Sequence, residues 1–375
     1  MSIRRRELLA GGLAAAVAGP RGDFPWATRE TYLNAATEHP IGIHSHRAME
    51  EYLHALTHGP DSAREKFENG QLMKSVKEQF ARLINAKPSE IGFVPSTQIG
   101  ENLVLEGLNI QHRGANVVTN DLHYGGSLLN YRERKKAGMD VRIVAHRDYQ
   151  MDFRDLERVV DSKTRLIAIA LVSNVNGYLH DIQAISKLAH AHGAYVYVDA
   201  IQAAGAVPID VRAMGIDFLA CSAYKWLMGG RFGYLYVKEE LQGSVLEARL
   251  FGGRSAPSGA GRYEISTASH VGCVCQDEAL RYIHRVGVTA IRNQVRTLTD
   301  HLQDGLAKAG YRSITPRGTE SPIVTLRVKD YEATRARLKK AGVVVTLRGG
   351  EEAQMRVSPS IYNTVEDIDR LLTAL

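Results

Sequence analysis

The chain has 375 residues, 47 Lys+Arg against 41 Asp+Glu for a formal net charge of +6, 44% hydrophobic and 23% charged residues, and three cysteines. This is the balance of an enzyme-sized globular protein with ample surface to bury, and it excludes a disordered chain, a collagen-like repeat and a disulfide-dense scaffold. Arg132, Arg134, Lys135 and Lys136 form the densest basic run outside the N-terminus and read as a solvated helix face, so the charge gives no reason to expect nucleic acid as a partner.

Residues 1–18 read as an export signal. Arg4, Arg5 and Arg6 precede the apolar stretch 8–18, and Ala16-Val17-Ala18 supplies an A-x-A cleavage pattern. The stretch is too short to span a bilayer. Consecutive arginines before Glu7-Leu8-Leu9 resemble a twin-arginine signal, which implies a periplasmic or exported protein; a cytoplasmic protein with a basic tail is the alternative. Cleavage after Ala18 removes three Arg and Glu7 and leaves a net charge of +4. No other segment approaches the length of a transmembrane helix, so no stable membrane association is expected.

Beyond Trp26, short β-branched runs at 91–94, 116–119, 141–144, 166–171, 194–198, 218–221 and 233–237 alternate with amphipathic stretches at 72–84, 153–160, 182–192 and 211–214. Strand and helix in alternation predict a mostly parallel sheet covered on both faces, with ligand sites at the carboxyl ends of its strands. A Gly/Ser/Pro-rich stretch at 252–261 marks a boundary or loop, and a long helical pattern follows from 276 to 307. Strand 323–328, helix 331–341, strands 343–347 and 355–358 and helix 365–375 then predict a small α+β unit. The expected organisation is a signal at 1–18, a large α/β domain at 19–251, and an interdomain loop, connecting helix and small domain at 252–375.

Several chemistries are absent from the motifs. There is no phosphate-binding G-x-x-x-x-G-K-[ST], no G-x-G-x-x-G after a strand, no G-x-S-x-G and no H-E-x-x-H. His190 and His192 are two apart near a helix end and point to different faces; His44 and His46 lack an acidic or cysteine partner nearby, and no metal site is expected. Cys273-Val274-Cys275 lacks the spacing of zinc or redox pairs, so these residues and Cys221 read as buried small apolar side chains.

The informative stretch is 194–225. One strand delivers Asp199 at its carboxyl end, with Gln202 just beyond, and another ends in Ser222-Ala223-Tyr224-Lys225. An acid, an amide and a lysine at one sheet edge are what pyridoxal 5'-phosphate (PLP) chemistry requires. The lysine amine forms a Schiff base with the aldehyde, and the carboxylate keeps the pyridine nitrogen protonated so that the ring accepts electrons.

The text from Ile182 to Lys225, with "HGAYVYVDAIQAAGAVPIDVRAMGIDFLACSAYKWLMG" at its heart, resembles the class V aminotransferase family of PLP fold type I, which includes cysteine desulfurases, cysteine lyases and isopenicillin-N-epimerase-like enzymes. The resemblance runs from Tyr32-Leu33-Asn34 to the C-terminus. It implies an α/β fold, the PLP-dependent transferase fold type I, with a large mostly parallel-sheet domain and a small α+β C-terminal domain. It also implies Lys225 as the Schiff-base lysine, Asp199 as the pyridine partner, Gln202 on the ring hydroxyl and Ser222 on the phosphate. In "FVPSTQIGENLV", Ser96 and Thr97 stand at a helix start suited to phosphate. In "NDLHYGG", Tyr124 aligns best with the ring that stacks on the pyridine, with His123 as runner-up. Asn174 of "LVSNVNG" falls near the cofactor hydroxyl. Thr267 of "RYEISTAS" corresponds to a threonine that reaches the neighbouring subunit's phosphate, which implies a homodimer. In "MRVSPSIYNTVEDIDRL", Arg356 corresponds to the fork for the substrate α-carboxylate. His123 and Asn34 complete the substrate-side candidates.

Two departures shape the expected activity. Tyr224 stands where desulfurases often have histidine, and a phenol can still donate to phosphate. The loop 347–355 before Arg356 carries no cysteine, whereas the desulfurases form their persulfide there. What remains is chemistry at the α-carbon of an amino acid or amino-acid-derived small molecule: lyase (C–S lyase-like), transaminase, or epimerase, the last needing an acid on the opposite face such as His123 or Tyr124. A PLP-holding scaffold without turnover is the reading from another class, and it has no need of Arg356. Arg348 reads as a surface arginine, with contact to a second acidic group of the substrate as the alternative.

Overall fold

The computed structural model describes residues 20–68, 70–250, 258–350 and 352–375. The export signal read at residues 1–18 lies outside them.

After β1 (Thr31–Tyr32) come three helices, α1 (Ile43–His58), α2 (Asp61–Glu68) and α3 (Gln71–Leu83). Strand and helix then alternate through β2 (Ile91–Val94), α4 (Thr97–Leu108), β3 (Asn116–Asn120), α5 (Gly125–Lys136), β4 (Asp140–Val144) and α6 (Phe153–Val159). The series continues with β5 (Thr164–Ala170), α7 (Ile182–Ala191), β6 (Tyr195–Asp199), β7 (Phe218–Ser222) and β8 (Gly233–Val237). Strands β2 to β8 form one sheet in the order β2-β8-β7-β6-β5-β3-β4, parallel from β7 to β4, with β8 antiparallel to both its neighbours.

The sheet is buried on both faces, so its strands read as continuous apolar runs rather than alternating ones. Alternate residues still part company. Ile167, Ile169, Val196 and Val198 pack with Ile182 and Ile185 of α7 on one face. Leu166, Ala168, Tyr197 and Phe218 pack with Val104 and Leu108 of α4 on the other. Gly100 lets α4 lie close, since a Cβ there would come within 2.7 Å of the Ala220 Cβ.

The helical pattern at 276–307 resolves into two helices, α8 (His270–Val286) and α9 (Val288–Lys308), interrupted at Gly287, whose φ of 87° is left-handed. The expected helix at 211–214 is a turn. Asp210 caps it, its Oδ1 accepting the N–H groups of Arg212 and Ala213, and the Met214 N–H reaches the Asp210 carbonyl, but Gly215, at a φ of 69°, ends it after that one turn.

The C-terminal part comprises β9 (Val324–Arg327), α10 (Tyr331–Lys340), β10 (Val343–Val344), β11 (Thr346–Arg348), β12 (Gln354–Val357) and α11 (Val365–Ala374). The expected strand 343–347 is split. β10 pairs in parallel with β1, while β11 joins the antiparallel sheet β11-β12-β9. Leu33 sits in the core of this unit with Leu302, Leu326, Met355 and Ile368. In return, Cys273, Leu280 and Ile283 of α8 pack into the large core. Leu33 from the N-terminal side and α8 from the C-terminal side thus cross the boundary expected at 251–252. Among the described residues, no helix is long and apolar enough to cross a membrane.

Candidate active site

The carboxyl ends of β2, β3, β5, β6 and β7 and the hairpin β11-β12 enclose a cleft of about 310 Å³. Of the residues singled out in the sequence, Ser96, Thr97, Tyr124, Asn174, Asp199, Ser222, Tyr224, Lys225, Arg348 and Arg356 line it.

At one wall Ser96 caps α4, its Oγ accepting the Ile99 N–H at 3.3 Å. The next residue is tied across to β7. Thr97 N–H donates to Ser222 Oγ, and Ser222 N–H donates to Thr97 Oγ1, each at 2.9 Å. Two hydroxyls are thereby fixed beside the positive end of a twelve-residue helix, an arrangement that favours an anion.

Asp199 ends β6 with its Oδ1 accepting the Ile201 N–H at 2.9 Å. Burial raises its carboxyl above the usual range, and the neighbouring His123 pulls it back. His123 is wholly buried, and burial lowers its imidazole below the ordinary value. Its Nδ1 accepts the Tyr124 N–H at 2.7 Å, which places the ring proton on Nε2. That Nε2 has no hydrogen-bond partner among the described residues; the nearest carboxylate, Glu101 Oε1, lies 3.7 Å away. Ser127 and Tyr131 donate to Glu101 at 2.6 and 2.8 Å, and burial nevertheless pushes its carboxyl up to about 6. Glu101 escaped the sequence reading because it looks like any helix carboxylate one turn into α4.

Lys225 is 9% exposed, and its amine makes no hydrogen bond among the described residues. The Tyr224 ring lies 5.7 Å from its Nζ. Burial, then the Arg356 guanidinium, bring the ammonium down from 10.5 to about 8, against the pull of Asp199. The Lys225 segment is backed by the turn after Asp199. Gly205 adopts φ 94° there, and a Cβ would overlap the Trp226 carbonyl oxygen. The lowered pKa carries a stability consequence. Without cofactor, the folded protein binds fewer protons than the unfolded chain between about pH 8 and 10.5, so its stability rises with pH across that window. Denaturant titration should show cofactor-free wild type gaining about 3 kcal/mol on Lys225→Met from pH 7 to pH 10.5; a flat difference contradicts the burial argument.

Arg356 on β12 is 5% exposed. Its Nη2 donates to Thr37 Oγ1 at 2.7 Å and Thr346 Oγ1 at 3.2 Å, and its Nη1 to the Asn174 carbonyl at 3.2 Å. Asn34 stands behind them, its Oδ1 accepting from Thr37 at 2.9 Å and Thr346 at 2.7 Å. Asn34 thus positions the arginine's partners without lining the cleft itself. Thr37 and Thr346 went unread because nothing local marks them. Arg348, expected at the surface, is half-buried and lines the cleft.

The remaining candidates lie elsewhere. Gln202 is buried, its Nε2 donating to the Ala36 carbonyl at 3.0 Å and its Oε1 accepting the Trp226 indole N–H at 2.9 Å, outside the cleft lining. Tyr124 stands at the cleft, 43% exposed, whereas His123 lies below it beside Asp199. Thr267 is exposed on the loop before α8, outside the cleft.

The residues present fit PLP. A hydroxyl-lined helix start suits its phosphate, a buried carboxylate its pyridine nitrogen, and an unpaired lysine its aldehyde. The buried, unpartnered Asn174 Oδ1 and His123 Nε2 leave polar capacity at the same edge. Fold and site together define a PLP-dependent enzyme.

The comparisons place it more closely. The family model described as Aminotransferase class-V matches residues 32–371, and the chain belongs to that family. An uncharacterized aminotransferase of Bacillus subtilis, YcbU, is 27% identical over 355 residues, covering 92% of this chain and 93% of the relative. A cysteine desulfurase of Klebsiella pneumoniae is 27% identical over 399 residues, covering 95% and 96%. The apo cysteine desulfurase of Thermococcus onnurineus superposes with a TM-score of 0.84 at 24% identity over 94% and 95% of the two chains. The cystine C-S lyase C-DES, solved with cysteine persulfide, superposes equally well at 0.84 with 20% identity over 93% and 98%. At these identities the two structures establish the shared fold.

Proposed function

We propose that the protein acts at the α-carbon of an amino acid as a lyase or aminotransferase and does not abstract sulfur through a protein persulfide. One observation carries the second half. The three cysteines, Cys221, Cys273 and Cys275, are all buried, burial raises every thiol, and none lines the cleft. The thiolate that sulfur abstraction needs has no source.

When bound, PLP supplies an electron sink for negative charge at the substrate α-carbon. The chain's own residues do the rest. Ser96, Thr97 and Ser222 would hold the phosphate, Asp199 the pyridine nitrogen, and Asn174 the hydroxyl side. Arg356 binds the α-carboxylate and is kept in place by Thr37, Thr346 and the Asn174 carbonyl. Lys225, with an amine that titrates near neutrality, takes and returns the α-proton. Epimerisation is the second reading, and its opposite-face acid would be Tyr124, which lines the cleft, rather than His123, which is buried outside the lining. The same reading makes the enzyme a homodimer in which Thr267, exposed and outside its own chain's cleft lining, reaches the neighbouring subunit's phosphate.

Incubating the holoenzyme with amino acids in deuterated water tests this. A keto acid, ammonia or a pyridoxamine form is the expected result; inverted substrate with solvent deuterium at its α-carbon as the sole product overturns it in favour of an epimerase. With L-cysteine no protein-bound persulfide should form, and alkylating the native protein's thiols should leave turnover within about twofold.

A further inference from the structure

Arg348 and Arg356 enter the cleft from the two strands of one hairpin, β11 and β12. Their guanidiniums reach the same acceptor, the carbonyl oxygen of Asn174, each at 3.2 Å. Neither has a carboxylate partner among the described residues, and among those lining the cleft the only acid is Asp199, against three cations, Lys225, Arg348 and Arg356. Two guanidiniums this close in a half-dry site repel each other. Burial and the Arg348 charge bring Arg356 down to about 10. Such a pair is stabilised when an anion bridges or occupies it.

The anions already assigned do not use up this charge. The cofactor phosphate is provided for by the α4 start and Ser222, and one α-carboxylate occupies Arg356. Among the described residues Arg348 makes a single hydrogen bond, to the Asn174 carbonyl, which leaves donors of its fork free.

We propose that Arg348 forms a second-anion subsite, so that the substrate is an α-amino acid carrying a carboxylate on its side chain. The inference rests on Arg356 as the α-carboxylate site. The competing role is structural, Arg348 merely pinning the 174 loop.

Titration calorimetry of the holoenzyme with glutarate and with butyrate, neither of which has an amine to react, reads binding without turnover. Wild type should bind glutarate at least about tenfold more tightly than butyrate, the scale of one charge-assisted contact. Arg348→Gln should bring that ratio within about twofold of unity, and Arg348→Lys should keep part of the preference. Equal affinities in wild type, or an unchanged ratio in Arg348→Gln, overturn the subsite. Butyrate binding that survives intact in Arg356→Gln sinks the underlying α-carboxylate assignment instead. In turnover, a preference for L-glutamate or L-aspartate over their amides should move in KM more than in kcat when Arg348 is replaced.

Discussion

Lys225→Ala should lose turnover by at least about 10³-fold and fail to retain cofactor covalently. The two losses have one physical origin. At pH 7.5 an ordinary lysine is about 0.1% neutral, whereas an amine with a pKa of about 8 is roughly a quarter neutral. Burial and two nearby guanidiniums thus supply a nucleophile and base at neutral pH without any dedicated activating residue. Borohydride reduction followed by peptide mapping should place the cofactor on Lys225 in wild type and nowhere in the variant. Lys225→Arg keeps the positive charge but should behave like Lys225→Ala, because a guanidinium does not deprotonate in this range. Retention of reducible cofactor in either variant rejects the assignment.

Arg356→Leu should lower kcat/KM for free amino acids by about 10²-fold while changing that for the corresponding amino-acid amides by only a few-fold. The contrast between acid and amide separates loss of the carboxylate contact from a damaged fold, which would penalise both. Arg356→Lys should recover little. The native guanidinium divides its donors among Thr37, Thr346 and the Asn174 carbonyl, a planar division that a single ammonium cannot copy.

What the sequence disclosed follows from how locally each feature is written. Asp199 and Lys225 close neighbouring strands in one stretch, and Ser96 announces its helix in the next few residues, so both were legible. Ser222 and Thr97 were each named, but their reciprocal hydrogen bonds join residues 125 apart. Glu101 is an ordinary polar residue until Ser127 and Tyr131 of another helix meet it. Gly287 is a glycine inside a helical pattern, which is tolerated at a cost of about 1 kcal/mol, and its positive φ is what interrupts the helix. The strand at 343–347 divides because β1, more than 300 residues earlier, takes half of it.

That last pairing sets an order of events during synthesis. Thr37 meets Arg356, and the Ala36 N–H meets Ser358, across 319 and 322 residues. At about 5–20 residues per second, a ribosome takes on the order of 15–60 s to make the intervening chain. Throughout that interval the nascent protein holds Asp199 and then Lys225 but no carboxylate clamp. Arg356 is the last of the cleft-lining residues to be made. The carboxylate clamp is therefore the last part of the cleft to be completed, and a chain lacking α11 would carry every residue of the cleft without the packing that holds β12 in place.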